Sequence, residues 1–342
     1  EEVMEKKEST VDIEKAFSSI RSTCPNEQLK GLREVAMVVK GNWKMIDRFI
    51  SSGTVTQAIT FLYHFDGSFV LEAAKALSAL IGVSPARIDV LISAKAISGY
   101  VYLLDTRSTV ASESLWALGN IAAESNTFRD ILLDVGVMDA VVKFVGMEKR
   151  KNLLRDAAWV ISNLCCGKTP RPDHAKVIVC LTAIKRLLTM HDEVVLEYTL
   201  WSLSNLSYRP STDRIYAQFL ERLVELLGNS SASVLIPCLQ TIRNITCGPE
   251  EQIKHLIKLK VLPRLLALLV SSKSYVVMEA VIVLANIATE DFEIVESLFD
   301  AGVFQSLVSV FKSADFKVKC EVVKGIVNAT FSGHMHINRL VN

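Results

Sequence analysis

The sequence predicts an all-α fold in which one three-helix unit of about 42 residues recurs along the chain. Three observations predict it. Apolar residues return at helical spacing almost throughout the 342 residues, with few alternating runs. Only 15 glycines and 8 prolines interrupt them, mostly where helices should stop. Asparagines also recur in register: Asn120, Asn163, Asn205, Asn244, Asn286 and Asn328 follow one another at 43, 42, 39, 42 and 42 residues.

Taken from the N-terminus, residues 1–67 read as an irregular first repeat and the first helices of the next, with Ser52-Gly53-Thr54 as a helix, glycine, helix junction. Residues 68–229 hold the strongest signature. Lys75-Ala-Leu-Ser-Ala79 fills the slot first, without its marker residues. Trp116-Ala-Leu-Gly-Asn120, Trp159-Val-Ile-Ser-Asn163 and Trp201-Ser-Leu-Ser-Asn205 then share the form W-x-x-x-N. Over residues 230–342 the tryptophan drops out, but Asn244, Asn286 and Asn328 still stand near the ends of apolar helices. Asp134-Val-Gly136-Val137 and Asp300-Ala-Gly302-Val303 repeat the glycine junction in phase. Each unit is thus a short helix, a second helix and a longer third helix carrying the asparagine. Such units cannot bury their apolar faces alone and must stack, so residues 1–342 are expected to form a single domain of about eight repeats. Three helices per 42 residues fit a right-handed superhelical armadillo solenoid better than the two-helix HEAT alternative. The opening without Met and an end shortly after Asn328 read as a trimmed chain with its last repeat cut off.

Composition narrows the function. Lys plus Arg is 38 and Asp plus Glu 37, so a net charge of +1 gives no overall attraction to nucleic acid or to an acidic membrane. The apolar runs are too short for a spanning helix. Seven cysteines, an odd number with no CxxC, read as reduced thiols in a cytoplasmic or nuclear protein. GxSxG, Walker, GxGxxG and HExxH motifs are missing, which argues against an enzyme, and no cofactor is implied. His334-Met-His336 is at most half a metal site, Cys165-Cys166 reads as packing, Lys149-Arg-Lys151 as a solvated loop, and the sequon at Asn244-Ile-Thr246 coincides with a ladder asparagine.

The ladder carries the chemistry. Tryptophan and asparagine four apart share one helix face, and the flanking leucines and isoleucines already supply a core stripe. Burying each amide without an evident partner would cost roughly 1 to 3 kcal/mol, so an exposed ladder is expected. Side-chain amides can hold the main chain of an extended peptide without reading its sequence. Indole faces between them form slots for long cations. Packed helices lie about 8 to 10 Å apart and an extended chain advances about 3.3 Å per residue, so one slot meets every second or third peptide residue. Three residues before the tryptophan position stand Glu72, Glu113, Asp156, Glu279 and Glu321, interrupted only by Tyr198 and Pro237. With 37 acidic residues in 342, chance gives fewer than one in seven such places, so an acidic groove is expected. Asp130 and Glu296 match each other in the first helix after the ladder. The expected partner is a basic, unfolded peptide.

WALGNIA at 116–122, followed by Phe128-Arg129-Asp130, and WVISNLC at 159–165 resemble importin alpha, the armadillo adaptor for nuclear localisation signals. Lys312-Ser-Ala-Asp-Phe-Lys317 resembles its lead into a late ladder helix. The similarity runs over nearly the whole chain, more weakly in the first 110 residues. It implies a nuclear import adaptor that shuttles between cytoplasm and nucleus. It implies a major signal-binding groove at Trp116, Asn120, Trp159, Asn163, Trp201, Asn205, Glu113 and Asp156, with Asp130 pairing with a key signal lysine. It also implies a weaker minor groove at Asn244, Glu279, Asn286, Glu321 and Asn328. Lys75, Ala79 and Ile88 depart from the family pattern in the second repeat, as do Ile282 and Lys324 in the minor groove. Lys324 would repel a cargo lysine unless Glu321 neutralises it. One dominant groove at Trp116, Trp159 and Trp201 is therefore expected. The family's basic N-terminal arm, which binds importin beta, has no counterpart in residues 1–15, which hold six acids and three lysines. A catenin-type armadillo scaffold for acidic or mixed partners is the alternative.

Overall fold

The computed structural model describes residues 11–81, 85–106, 109–167, 169–208, 217–288 and 291–341, all helices, turns and loops with no strand among them. The expectation that residues 1–15 hold no basic arm falls mostly on residues 1–10, which lie outside the described residues. The fold is the expected armadillo-repeat one. The chain divides into two compact units, residues 1–183 and 184–342, with the division falling inside the helix Leu181–Leu188.

In the first unit the helix Pro25–Val39 packs along Gly67–Ser78, which meets Ala111–Glu124, which in turn packs along Lys151–Cys165. In the second, Glu193–Ser207, Ala232–Thr246, Ser274–Ile287 and Phe316–Thr330 form the same succession. These are the long third helices of the repeats. Their apolar stripes make the core: Leu115, Leu118, Ile121, Val160, Leu164, Leu200, Leu203, Ile242, Val283 and Val322 are all fully buried. Shorter helices such as Asn126–Asp134 and Val137–Met147 complete each repeat and cover the other side of the stripe. No single helix among the described residues is long and apolar enough to cross a membrane.

The junction between the two short helices requires a left-handed residue, and the three predicted glycines supply it: Gly53, Gly136 and Gly302 have φ of 73°, 80° and 74°. The same place in two other repeats is filled by Lys95 and Lys260 at φ of 62° and 60°. A side chain there costs about 1 kcal/mol, which stacking of the repeat must offset. The ladder helices begin on side-chain caps where the sequence offers them. Asp192 accepts from the Val195 amide and Asp315 from the Val318 amide.

Candidate functional site

In the first unit the ladder is built on successive helices that share one small residue. The Trp159 ring lies against Gly119 so closely that a Cβ there would stand 2.2 Å from Cζ3. The Asn163 amide nitrogen donates to the Gly119 carbonyl at 3.1 Å. Asn120 donates to the Trp116 carbonyl of its own helix at 2.8 Å. Trp116 is 45% exposed, while Trp159 and both asparagines are half-buried. The Trp159 indole therefore rests on the repeat before and remains partly open to solvent. An open cleft of about 580 Å³ lies beside Lys75, Ser78, Ala79, Ser112, Glu113 and Trp116. Ile88, another family departure, is fully buried and offers no hydroxyl to the surface.

Acidic groups lie beside these rings. Glu113 is half-buried and has no cationic partner among the described residues, whereas Glu72 in the repeat before pairs with Lys75 at 3.5 Å. Asp156 accepts from the Ser112 hydroxyl at 3.0 Å, and burial pushes its carboxyl above the ordinary carboxylate range despite that bond. Asp130 is 42% exposed, and Arg129, only 1% exposed, grips it. Arg129 Nε and Nη2 both reach Asp130 Oδ1, at 2.9 and 2.8 Å. The same guanidinium donates from Nη1 to Asn126 Oδ1 at 2.8 Å and to the Cys166 carbonyl at 2.7 Å. From Nη2 it reaches the Pro170 carbonyl at 3.2 Å. Cys166 is the C-cap of the ladder helix that carries Asn163, so this network ties Asp130 to the end of that helix.

The second unit repeats the amide pattern with a different electrostatic outcome. Asn244 donates to the Ser204 carbonyl at 3.0 Å and the Ser207 hydroxyl at 3.1 Å. Asn286 reaches the Arg243 carbonyl at 3.4 Å, and Asn328 the Ala285 carbonyl at 2.9 Å. Trp201 and Asn205 are half-buried. A second cleft of about 580 Å³ is lined by Thr246, Cys247, Asn286, Asn328 and Phe331 among others. The two ladder acids of this unit, which do not line that cleft, are already paired: Glu279 with Gln240 at 3.0 Å and Arg243 at 2.9 Å, Glu321 with Lys324 at 2.6 Å. Glu296, expected to match Asp130, is held by His336 at 3.0 Å and by Arg339.

Several sequence expectations change in detail. The asparagines are not free amides: in four of the six the nitrogen donates to a carbonyl of the preceding ladder helix, which supplies the partner that sequence reasoning lacked. What remains for a ligand is the Oδ1 acceptor and, at Asn163 and Asn328, the second N–H; at Asn244 and Asn286 the amide nitrogen also reaches the Ser207 and Thr246 hydroxyls. His336 is a core residue, buried between the Phe292 and Phe299 rings at 4.4 and 5.3 Å. Cys165 packs 3.9 Å from Cys180, sulfur to sulfur. The Lys149-Arg-Lys151 run is the expected exposed loop, running into the helix at Lys151, and Glu148 orders it by accepting from the Lys149 and Arg150 amides at 2.8 Å and pairing with the Arg150 guanidinium at 2.7 Å. Sequence reasoning missed Arg129, Arg243 and Gly119. The asparagine-minus-one position carried a partial signal, being small at Gly119, Ser162, Ser204 and Ala285 but large at Arg243 and Val327.

Residues 249–289 match the model of the armadillo/beta-catenin-like repeat. The chain is 36% identical over 224 residues to importin subunit alpha-1b of Oryza sativa subsp. japonica, covering 64% of this chain and 42% of that protein. Importin subunit alpha-3 of Arabidopsis thaliana is also 36% identical, with the same coverage. The chain thus spans less than half the length of these relatives. Among solved structures an engineered protein aligns with a TM-score of 0.83 and 26% identity over 96% of this chain and 81% of that one. A computationally designed armadillo repeat protein for modular peptide recognition gives 0.63 at 24% identity, over 68% and 99%.

Proposed function

We propose that this armadillo-repeat chain, similar in sequence to importin alpha subunits, binds lysine- and arginine-rich segments as extended peptides and serves as a nuclear import adaptor rather than an enzyme. Localisation in both cytoplasm and nucleus follows from the same reading. In the first unit Trp116 and Trp159 flank the stems of long cations, Asn120 and Asn163 hold the peptide main chain, and Glu113, Asp156 and Asp130 receive the charges. In the second, Asn205, Asn244, Asn286 and Asn328 hold main chain, Trp201 offers one further indole, and Glu279 and Glu321 contribute little charge.

The observation that carries this reading is the contrast between the two ladder acids beside Trp116 and Trp159 and those of the second unit; Glu72, one repeat earlier, is paired with Lys75. Glu113 and Asp156 have no cationic partner among the described residues, whereas Glu279 and Glu321 are neutralised by Arg243 and Lys324. An unpaired, partly desolvated carboxylate beside an indole favours an incoming cation. The self-paired acids do not.

A fluorescently labelled Lys/Arg-rich peptide, titrated against the chain at rising salt, tests the proposal. Affinity should fall as ionic strength rises, because several ion pairs are screened together. Trp159→Ala should weaken binding far more than Ile282→Ala. Equal losses would contradict the assignment. Tight binding of an acidic peptide in place of the basic one would instead favour a catenin-type scaffold.

A further inference from the structure

The cleft beside Trp116 changes sign across three successive ladder helices. Lys40 is the C-cap of Pro25–Val39, Lys75 lies on Gly67–Ser78, and Glu113 and Trp116 lie on Ala111–Glu124, and all four line the one cavity of about 580 Å³. Lys75 stands where the next repeats carry tryptophan, and Ala79 where they carry asparagine. This end of the groove therefore offers neither an indole slot for a cation nor an amide for main chain. The hydroxyls of the cleft are engaged, Ser78 with the Tyr100 hydroxyl at 3.3 Å and Ser112 with Asp156 at 3.0 Å. The lysine ammonium groups are its least committed donors. Lys40 is exposed and has no acidic partner among the described residues. Lys75 is 42% exposed and meets Glu72 only at 3.5 Å, while Glu72 itself does not line the cleft.

We propose that Lys40 and Lys75 form an anion subsite at this end of the first unit's groove, taking a carboxylate or phosphate side chain of the same peptide whose basic residues reach Glu113 and Asp156. This rests on the reading of the first unit as a cation-binding groove and deepens it. The preferred peptide is bipolar rather than uniformly basic, a lysine- and arginine-rich run with an acidic or phosphorylated residue on one side. An ammonium in the tryptophan place repels a ligand cation and attracts a ligand anion. Lone surface lysines are ordinarily just solvated, but here two neighbouring helices bring theirs to one concavity beside the indole. Ladder helices about 8 to 10 Å apart and an extended chain advancing about 3.3 Å per residue set the register. They put Lys75 about three peptide residues, and Lys40 about six, from the residue that meets Glu113.

The test compares, by anisotropy, a labelled Lys/Arg-rich peptide having alanine flanks with versions carrying a single glutamate or phosphoserine. The anion is placed about three to six residues from the basic run, on each side in turn. On one side it should strengthen binding several-fold over alanine. In the double variant Lys40→Gln with Lys75→Gln, the anion/alanine affinity ratio should fall to one or below. Lys75→Glu should make lysine the preferred residue at the same position. Circular dichroism checks folding, and Lys40→Gln alone serves if the Lys75 variants do not fold, with a smaller fall in the ratio expected. A gain from phosphoserine without one from glutamate assigns the subsite to phosphate, and a gain from both assigns it to anions in general. Weakening by the anion on both sides, or a gain that survives in the double variant, overturns this inference while leaving basic-peptide binding intact. Failure of the alanine-flanked peptide and its anionic versions alike to bind overturns both this inference and the proposed function.

Discussion

The Trp159 ring rests on Gly119, with Cζ3 occupying space that any side chain at Gly119 would claim. One ladder helix thus provides both the flat seat for the next repeat's indole and, through its carbonyl, the acceptor for the next repeat's amide. Gly119→Ala would force the ring outward or the helices apart. Overpacking of this kind costs about 1 to 3 kcal/mol. The expected result is a lower midpoint in thermal or denaturant unfolding together with weaker basic-peptide binding. If the variant loses stability but binds the peptide unchanged, Trp159 does not contact it.

Asp156 should trade stability for binding. Its carboxyl is raised by burial, so the ionised form is penalised in the folded chain relative to the unfolded one. That penalty is absent below the ordinary value of 3.8 and complete above the raised value. Asp156→Asn should therefore raise the melting temperature at pH 7, with the gain vanishing as the pH falls through that window. The same variant should weaken basic-peptide binding. A variant less stable than the parent at pH 7 would contradict the assignment.

Lys324 acts as a built-in counter-ion for Glu321, with Nζ at 2.6 Å and the lysine side chain 64% exposed. Such an exposed pair adds about 0 to 1 kcal/mol to stability, so Lys324→Ala should scarcely change unfolding. It should strengthen basic-peptide binding at the second unit, measured in a chain carrying Trp159→Ala so that the first unit does not mask the gain. An unchanged affinity would show that Glu321 does not face the peptide.

Glu148 gives an acid-dependent term at the entry to the Trp159 helix. The Arg150 guanidinium, and after it the Arg150 and Lys149 amides, hold its carboxyl down to about 2 against an opposing effect of burial. Because the folded value is depressed, its stabilisation is complete above the ordinary value of 4.5 and is lost as the pH falls through about 2. Glu148→Gln should be less stable than the parent at pH 7, and the two should converge as the pH is lowered toward 2. Urea midpoints across that range provide the measurement.

The repeat, its period and the ladder positions were legible because they are periodic. One substitution-tolerant pattern is written six times at Asn120 through Asn328, and the glycine junctions at Gly53, Gly136 and Gly302 mark its phase. What was not legible depends on approach between repeats. Nothing near Asn163 in sequence says that its amide will meet the Gly119 carbonyl 44 residues earlier. The same holds for Arg243, which reaches Glu279 across 36 residues and cancels a charge that the spacing rule had counted as available. Arg129 was quoted only as a neighbour of Asp130, since its partners include the Cys166 and Pro170 carbonyls, 37 and 41 residues away. Lys95 and Lys260 hid two junctions, since glycine is the usual sign of a left-handed turn and lysine is not.

The amides of Asn163, Asn244, Asn286 and Asn328 already lean on the coil behind them. A guest held by what those side chains have left would therefore draw each joint tighter. Under the proposed function, loading and stiffening would be one event inside either unit, with the unloaded chain the springier state. Slower amide exchange at the joints, far from any atom the guest touches, would be the signature of a filled one.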